Sequence, residues 1–179
     1  MNGGGFSAVR ATLFALLALT AIFVQLLPLD LVAGTGLVPD LLLALTCAWA
    51  VRRPEHMPLL LVAALLLLAD LIQDRPTGLW AMISLLIVEA MRAQREAYLG
   101  RPFVVEWGGF ALALALGLIA QGVILKLALV ARPDGVDLPL QIFAVTAASY
   151  PVLAMLLHYG LRIRAPRPAE RSSRLGRVA

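Results

Sequence analysis

Six long apolar runs, broken only by short polar connections, constrain this chain more than any other feature. The runs cover residues 11–29, 37–51, 57–72, 77–91, 103–130 and 138–163. Hydrophobic residues make up 61% of the 179 residues and charged residues 15%, whereas a soluble domain is about 45–50% apolar and about 25% charged. Because a soluble domain of this size cannot bury so much apolar surface, the sequence predicts an all-α integral membrane protein. Residues 1–163 are expected to form one bundle of six transmembrane helices, followed by a basic tail over residues 164–179.

The arginines predict the orientation of these helices. If the amino terminus is cytoplasmic and all six runs cross, the connections that carry most of the basic residues all fall on the cytoplasmic side. These residues are Arg10, Arg52, Arg53, Arg92, Arg95, Arg101 and six arginines between residues 162 and 177. Only Arg75, Arg132 and Lys126 lie at or near the outer side. Both termini are therefore expected in the cytoplasm.

The third and fourth runs are short, with 16 and 15 residues, and a re-entrant hairpin is the alternative to two spans. Two spans are favoured because two full apolar runs separate the arginines on either side, with a polar break between them. Three tryptophans agree with this arrangement. Trp49 and Trp107 fall near predicted inner helix ends and Trp80 near an outer end, as expected of an interfacial aromatic belt.

Charges inside the apolar runs are the first candidates for function, because a charge in lipid is costly. Asp70 and Asp74 are four residues apart on one helical face, Asp40 opens the second run, and Lys126 lies at a similar depth on the fifth. Together they predict a polar cluster on the outer side. The favoured interpretation is structural: Asp40 complements the dipole of its helix, and Asp70 pairs with Lys126 or hydrogen-bonds within the bundle. A site for a ligand, a proton or a partner is the alternative.

Two further patterns concern helix surfaces. Glu89 and Arg92 are three residues apart, a spacing that favours a local salt bridge. Gly109, Ala113 and Gly117 form a stripe of small residues at i, i+4 spacing on the fifth run. Such a stripe allows close helix packing in lipid. Contact within this bundle is favoured, and a docking face for a helix of another protein is the alternative.

Motifs for catalysis, cofactors and metals are missing from the sequence. No His-Glu-x-x-His, Gly-x-Ser-x-Gly, Walker or dinucleotide-binding glycine pattern occurs. His56 and His158 lack ligand partners at metal-binding spacing. The arginines of the tail have no interleaved aromatic residues, which argues against nucleic-acid binding. The sequence therefore predicts a protein that is not an enzyme, that holds no cofactor or metal ion, and whose surroundings are the lipid bilayer.

The central third of the chain carries a set of short motifs in a fixed order. They are PDLLL at residues 39–43, AWAVRRP at 48–54, LADL at 68–71 and RPTGLWA at 75–81. In this order and spacing, residues 37–95 resemble the rod shape-determining protein MreD family. The other runs resemble that family only in hydropathy.

The resemblance implies a multi-pass protein of the bacterial inner membrane with no enzymatic activity. Such a protein belongs to the elongasome, the machinery that synthesises peptidoglycan along the side wall and determines cell shape. The expected partners are MreC first, then MreB, RodA and its penicillin-binding transpeptidase. The helical arrangement of the family is also similar to that of the substrate-binding subunits of energy-coupling-factor transporters. The alternative function is therefore a small-solute binding subunit of a transporter.

Overall fold

The computed structural model describes residues 3–27, 39–73, 76–98, 100–129 and 137–160. Within these ranges the protein is all-helical and contains no strand. Its helices are α1 (Gly3–Leu26), α2 (Leu41–Arg52), α3 (Leu59–Ile72), α4 (Leu79–Ala93), α5 (Arg95–Tyr98), α6 (Phe103–Leu127) and α7 (Asp137–Met155). A 3₁₀ turn (Pro54–His56) precedes α3, and a π-helical turn (Leu156–Gly160) extends α7. The basic tail and Asp74 lie outside the described residues.

Three helices are long and apolar enough to cross a membrane. The segments are Val9–Leu26, Phe103–Leu127 and Leu138–Tyr159. In contrast, α2, α3 and α4 have 12, 14 and 15 residues, or about 18, 21 and 23 Å at 1.5 Å per residue. A bilayer has a hydrocarbon core of about 30 Å. The protein therefore has the character of a membrane protein, with three helices of spanning length and three shorter ones.

The short helices begin later than the apolar runs predict, because local chemistry delays each start. Asp40 caps the first turn of α2. Pro58 stands immediately before α3 in an extended conformation. Gly78 precedes α4 with φ of 85°, in the left-handed region that suits glycine. The fifth predicted run also ends early, since α6 stops at Leu127 rather than at residue 130.

Helix α2 lies at the centre of the bundle. Eleven of its twelve residues are buried, and it packs against α1, α4 and α7. A helix that is apolar on all sides is stable only when other helices surround it. Phe14 of α1 meets Trp49 of α2 edge to face, with ring centroids 5.4 Å apart. This helix is the core that the longer helices enclose.

The predicted aromatic belt is wrong for two of the three tryptophans. Trp49 is fully buried in the core, and Trp80 is buried at the start of α4. Trp107 is partly exposed, and its indole Nε1 donates to the carbonyl oxygen of Ala147 at 2.9 Å. Two of these rings therefore connect helices inside the bundle instead of marking its boundary with water.

Candidate functional site

Helix α2 begins inside the bundle, just after the buried residues Pro39 and Asp40. The carboxylate of Asp40 supplies acceptors at this helix end. Its Oδ1 accepts from the backbone N–H of Leu43 at 3.0 Å, and its Oδ2 accepts from the indole Nε1 of Trp80 at 2.7 Å. Asp40 is 7% exposed. One carboxylate thus caps α2 and fixes the first turn of α4 beside it.

Helix α4 is capped by a residue of the neighbouring helix. Oδ2 of Asp70, on α3, accepts from the backbone N–H groups of Gly78 at 3.1 Å and Ala81 at 2.9 Å. The side chain of Asp70 is 1% exposed. Because a carboxylate at a helix amino terminus also complements the helix dipole, Asp70 stabilises the start of α4 across the turn that joins the two helices.

Glutamine and threonine side chains extend this polar contact to two more helices. Nε2 of Gln73 donates to Oε1 of Gln25 at 3.0 Å, and Nε2 of Gln25 donates to the carbonyl oxygen of Pro39 at 3.1 Å. On the other side, the backbone N–H of Asp40 donates to Oγ1 of Thr146 at 3.0 Å. The group therefore joins α1, α2, α3, α4 and α7. We call it the capping cluster, which consists of Gln25, Asp40, Asp70, Gln73, Trp80 and Thr146.

The geometry makes the capping cluster a joint between helices. Three of the four carboxylate oxygens of Asp40 and Asp70 accept from donors of the protein itself, and both side chains are buried. The two acidic residues lie in one region, as the sequence predicts. Their roles are the structural ones that the sequence favours, since Asp40 caps its own helix and Asp70 hydrogen-bonds within the bundle. Within the described part of the chain, both carboxylates are therefore used in contacts between helices.

The predicted pairing of Asp70 with Lys126 is wrong. Lys126 lies exposed in the last turn of α6, and α6 packs mainly against α4 and α7 rather than α3. The donors that Asp70 needs are backbone N–H groups of α4. A sequence search that looks only for opposite charges misses such donors.

The opposite ends of the short helices are held by arginines. Arg92 pairs with Glu89 at 3.1 Å, as their spacing predicts. Arg92 also donates from Nη2 to the carbonyl oxygen of Met57 at 2.9 Å, just before α3. Nε of Arg95 donates to the carbonyl oxygen of Val51 at 3.1 Å, near the end of α2. These arginines satisfy carbonyl oxygens at connections between the short helices.

The stripe of small residues on α6 faces the interior of the bundle. A Cβ atom at Gly109 would collide with the hydroxyl group of Tyr98. A Cβ atom at Gly117 would lie 2.7 Å from Cδ1 of Ile87 on α4. Ala113 between them is partly buried against the core. The stripe therefore forms a contact within the chain, and it is not available as a docking face for another helix.

Tyr98 itself is held in this contact by its hydroxyl group, which donates to Oε1 of Gln94 at 3.0 Å. Burial raises the pKa of the Tyr98 hydroxyl above its ordinary value, and the nearby carboxylate of Glu106 raises it further. The hydroxyl therefore remains a neutral donor at physiological pH. Its position against Gly109 depends on the absence of a side chain there.

An ion pair between α2 and α6, extended to α7 by a tyrosine, is not predicted from the sequence. Nη1 of Arg52 donates to Oε1 of Glu106 at 2.7 Å and to the carbonyl oxygen of Ala48 at 2.8 Å. The side chains of Arg52 and Glu106 are 8% and 13% exposed. The hydroxyl of Tyr150 donates to the same Oε1 at 2.7 Å, and its ring stacks on Phe110 at 4.3 Å. One signal is present in the sequence, since Glu106 is the only acidic residue in the fifth apolar run.

Within the described ranges, no group of three or more His, Cys, Asp or Glu side chains is placed to hold a metal ion. The polar groups instead form two connecting sites, the capping cluster and the Arg52–Glu106–Tyr150 network. No known family model, curated protein or solved structure matches this chain.

Proposed function

We propose that this chain is a non-enzymatic membrane scaffold of the bacterial cell-elongation machinery that binds MreC and helps to organise lateral peptidoglycan synthesis. One observation supports this proposal above the others. Three of the four motifs that carry the resemblance to the MreD family, those at residues 39–43, 68–71 and 75–81, meet in the capping cluster although they are separated in sequence. Asp40 of the first motif binds Trp80 of the last, and Asp70 binds the backbone of Gly78 and Ala81. Motifs that contact one another form one structural unit, which chance similarity of apolar runs does not require.

The character of the polar groups favours a scaffold over the alternative of a solute-binding subunit. A solute site is a cavity into which several polar groups converge. Here Asp40 and Asp70 are used for helix capping. A groove of about 390 Å³ between α6 and α7 is lined by apolar side chains only. Those lining residues are Ala115, Leu118, Ile119, Pro139, Leu140 and Phe143.

The proposal includes a six-span arrangement in the inner membrane with both termini in the cytoplasm. Its support is the distribution of arginines between connections. Cysteine labelling tests it in a Cys47→Ala background, since Cys47 is buried. A cysteine at Gly135 is expected to react with a membrane-impermeant maleimide in intact cells. A cysteine at Ala97, which is exposed on α5, is expected to react only after lysis. Labelling of residue 97 from outside would contradict the arrangement.

Co-purification with MreC tests the partner. A tagged chain expressed with MreC is expected to retain it in mild detergent, and MreB, RodA and the transpeptidase are expected to follow through MreC. Trp80→Phe removes the indole N–H that binds Asp40 and is expected to reduce MreC recovery by several-fold. Trp107→Phe is the matched control, because it removes an indole N–H that binds Ala147 outside the capping cluster. A correctly inserted chain that retains no MreC, but retains a transporter ATPase, would favour the solute-binding alternative.

A further inference from the structure

Two polar contacts fix the height of the hairpin formed by α3 and α4. At one end, Asp70 binds the first backbone N–H groups of α4. At the other end, Arg92 binds the carbonyl oxygen of Met57. Met57 lies two residues before α3, whose 14 residues correspond to about 21 Å. Because both ends are held by polar groups, the apolar part of the hairpin cannot become longer by extending either helix.

The outer face of this hairpin is apolar and exposed. On α3 it consists of leucines, with Leu60 84% exposed and Leu71 60% exposed. On α4 it includes Met82 and Leu86. The face ends at the Glu89–Arg92 pair, which is partly exposed. It is therefore a short apolar surface of about 20 Å, and acyl chains are the partner whose chemistry it fits.

The neighbouring face of the protein, on α6, is much taller. Exposed apolar residues on α6 extend from Val104 to Leu127, or about 35 Å along the helix. A helix longer than the hydrocarbon core of about 30 Å adapts to it by tilting. Tilting shortens the height of a helix along the membrane normal, so it cannot correct α3. The difference between the height of the α3–α4 hairpin and the thickness of the hydrocarbon core must therefore be accommodated by the lipid.

The charged residues that connect α3 and α4 in the sequence favour local thinning of the bilayer. Gln73 ends α3 and is followed in the sequence by Asp74 and Arg75. If the bilayer kept its full thickness and the Met57 end lay at one boundary, the polar end of α3 at Gln73 would lie about 10 Å inside the hydrocarbon region. Charges at such depth are strongly disfavoured, and local thinning of the bilayer is an established response of lipid to them. The same response brings the buried start of α4 close to water.

We propose that the α3–α4 hairpin crosses a locally thinned bilayer, in which acyl chains cover the leucine face over about 20 Å instead of about 30 Å. The protein thereby has a thin side at α3–α4 and a thick side at α6. This inference rests on the proposed crossing of α3 and α4, and it does not depend on MreC. Lipid molecules that pack into a thinner bilayer are the preferred neighbours of the thin side.

Site-directed spin labelling measures the depth of each side directly. Single nitroxide labels replace Leu60, Ala64 and Leu71 on α3 and, as the control, Leu116 on α6, all exposed positions in a Cys47→Ala background. The chain is reconstituted in dioleoylphosphatidylcholine vesicles, and accessibility to oxygen and to a water-soluble nickel chelate gives the depth. Leu60 and Leu71 are expected near the headgroups, and Ala64 is expected about 5 Å shallower than Leu116, half of the proposed thinning. In vesicles of a 14-carbon lipid, this difference between Ala64 and Leu116 is expected to shrink, because the bilayer already matches the hairpin.

Each other outcome contradicts the inference in a different way. If depth increases steadily from Leu60 to Leu71, the hairpin is re-entrant and both the crossing and the thinning are wrong. If the profile is symmetric but Ala64 is as deep as Leu116, the helices cross without thinning. If the α3 labels are shielded from both oxygen and nickel, protein covers the face and lipid is not its partner.

Discussion

Replacement of Asp70 by alanine tests the role of the capping cluster most directly. The variant leaves the backbone N–H groups of Gly78 and Ala81 without their acceptor. A hydrogen bond to a charged group contributes about 1.5–3 kcal/mol in soluble proteins. Within a membrane, measured side-chain hydrogen bonds are weaker, since the unfolded chain finds other partners. For two bonds to a carboxylate that is 1% exposed, we expect the free energy of unfolding to fall by about 3 kcal/mol.

The assay is equilibrium unfolding in mixed micelles of sodium dodecyl sulfate and a mild detergent, followed by far-ultraviolet circular dichroism. Asp70→Asn keeps one carbonyl oxygen as an acceptor and is expected to cost about 1 kcal/mol. Leu71→Ala is the control on the same helix, because Leu71 is 60% exposed, and it is expected to change stability by less than about 0.5 kcal/mol.

Two results would refute this reasoning. One is an Asp70→Ala variant as stable as Leu71→Ala, which would mean that the caps contribute nothing. The other is recovery in the double variant Asp70→Lys with Lys126→Asp. We expect no recovery, because Lys126 is exposed on α6 and forms no ion pair with Asp70. Recovery of stability in the double variant would instead show that residues 70 and 126 form the ion pair predicted from the sequence.

Two adjacent glycines give a matched pair of variants. Gly109→Ala is expected to destabilise the protein by about 1–3 kcal/mol, because the added methyl group would collide with Tyr98. Gly108→Ala adds a methyl group that contacts nothing, and it is expected to be neutral or to stabilise the protein by up to about 1 kcal/mol. Equal effects of the two variants in thermal unfolding would contradict the packing of Gly109 against Tyr98. Glu106→Ala is expected to cost about 3–5 kcal/mol because it leaves the buried guanidinium unpaired. Tyr150→Phe removes only the hydroxyl that binds Glu106, and it is expected to lower the free energy of unfolding by about 1–3 kcal/mol. A larger loss of stability in this variant than in Glu106→Ala would contradict the Arg52–Glu106–Tyr150 network.

The sequence predicts the helices well and their polar partners poorly, for one physical reason. Each described apolar run is helical because hydropathy and helix formation are local properties. The position of Asp40 at a helix start is also local and is predicted by its place after Pro39. In contrast, Arg52 and Glu106 are 54 residues apart, and their contact depends on how α2 and α6 pack. The backbone donors of Asp70 are equally difficult to predict, since almost every residue carries a backbone N–H and the sequence does not show which of them bind the carboxylate.

The burial of α2 on every side has a consequence for biosynthesis. Helix α2 emerges early from the ribosome, yet α7, one of the helices that enclose it, is the last of the described helices to be made. Until α7 arrives, the backbone N–H of Asp40 lacks Thr146 and the Arg52–Glu106 pair lacks Tyr150. A nascent chain that stops before α7 is therefore expected to remain unassembled in the membrane, as a substrate for membrane proteases. The native bundle is therefore expected to be completed only after α7 has been inserted.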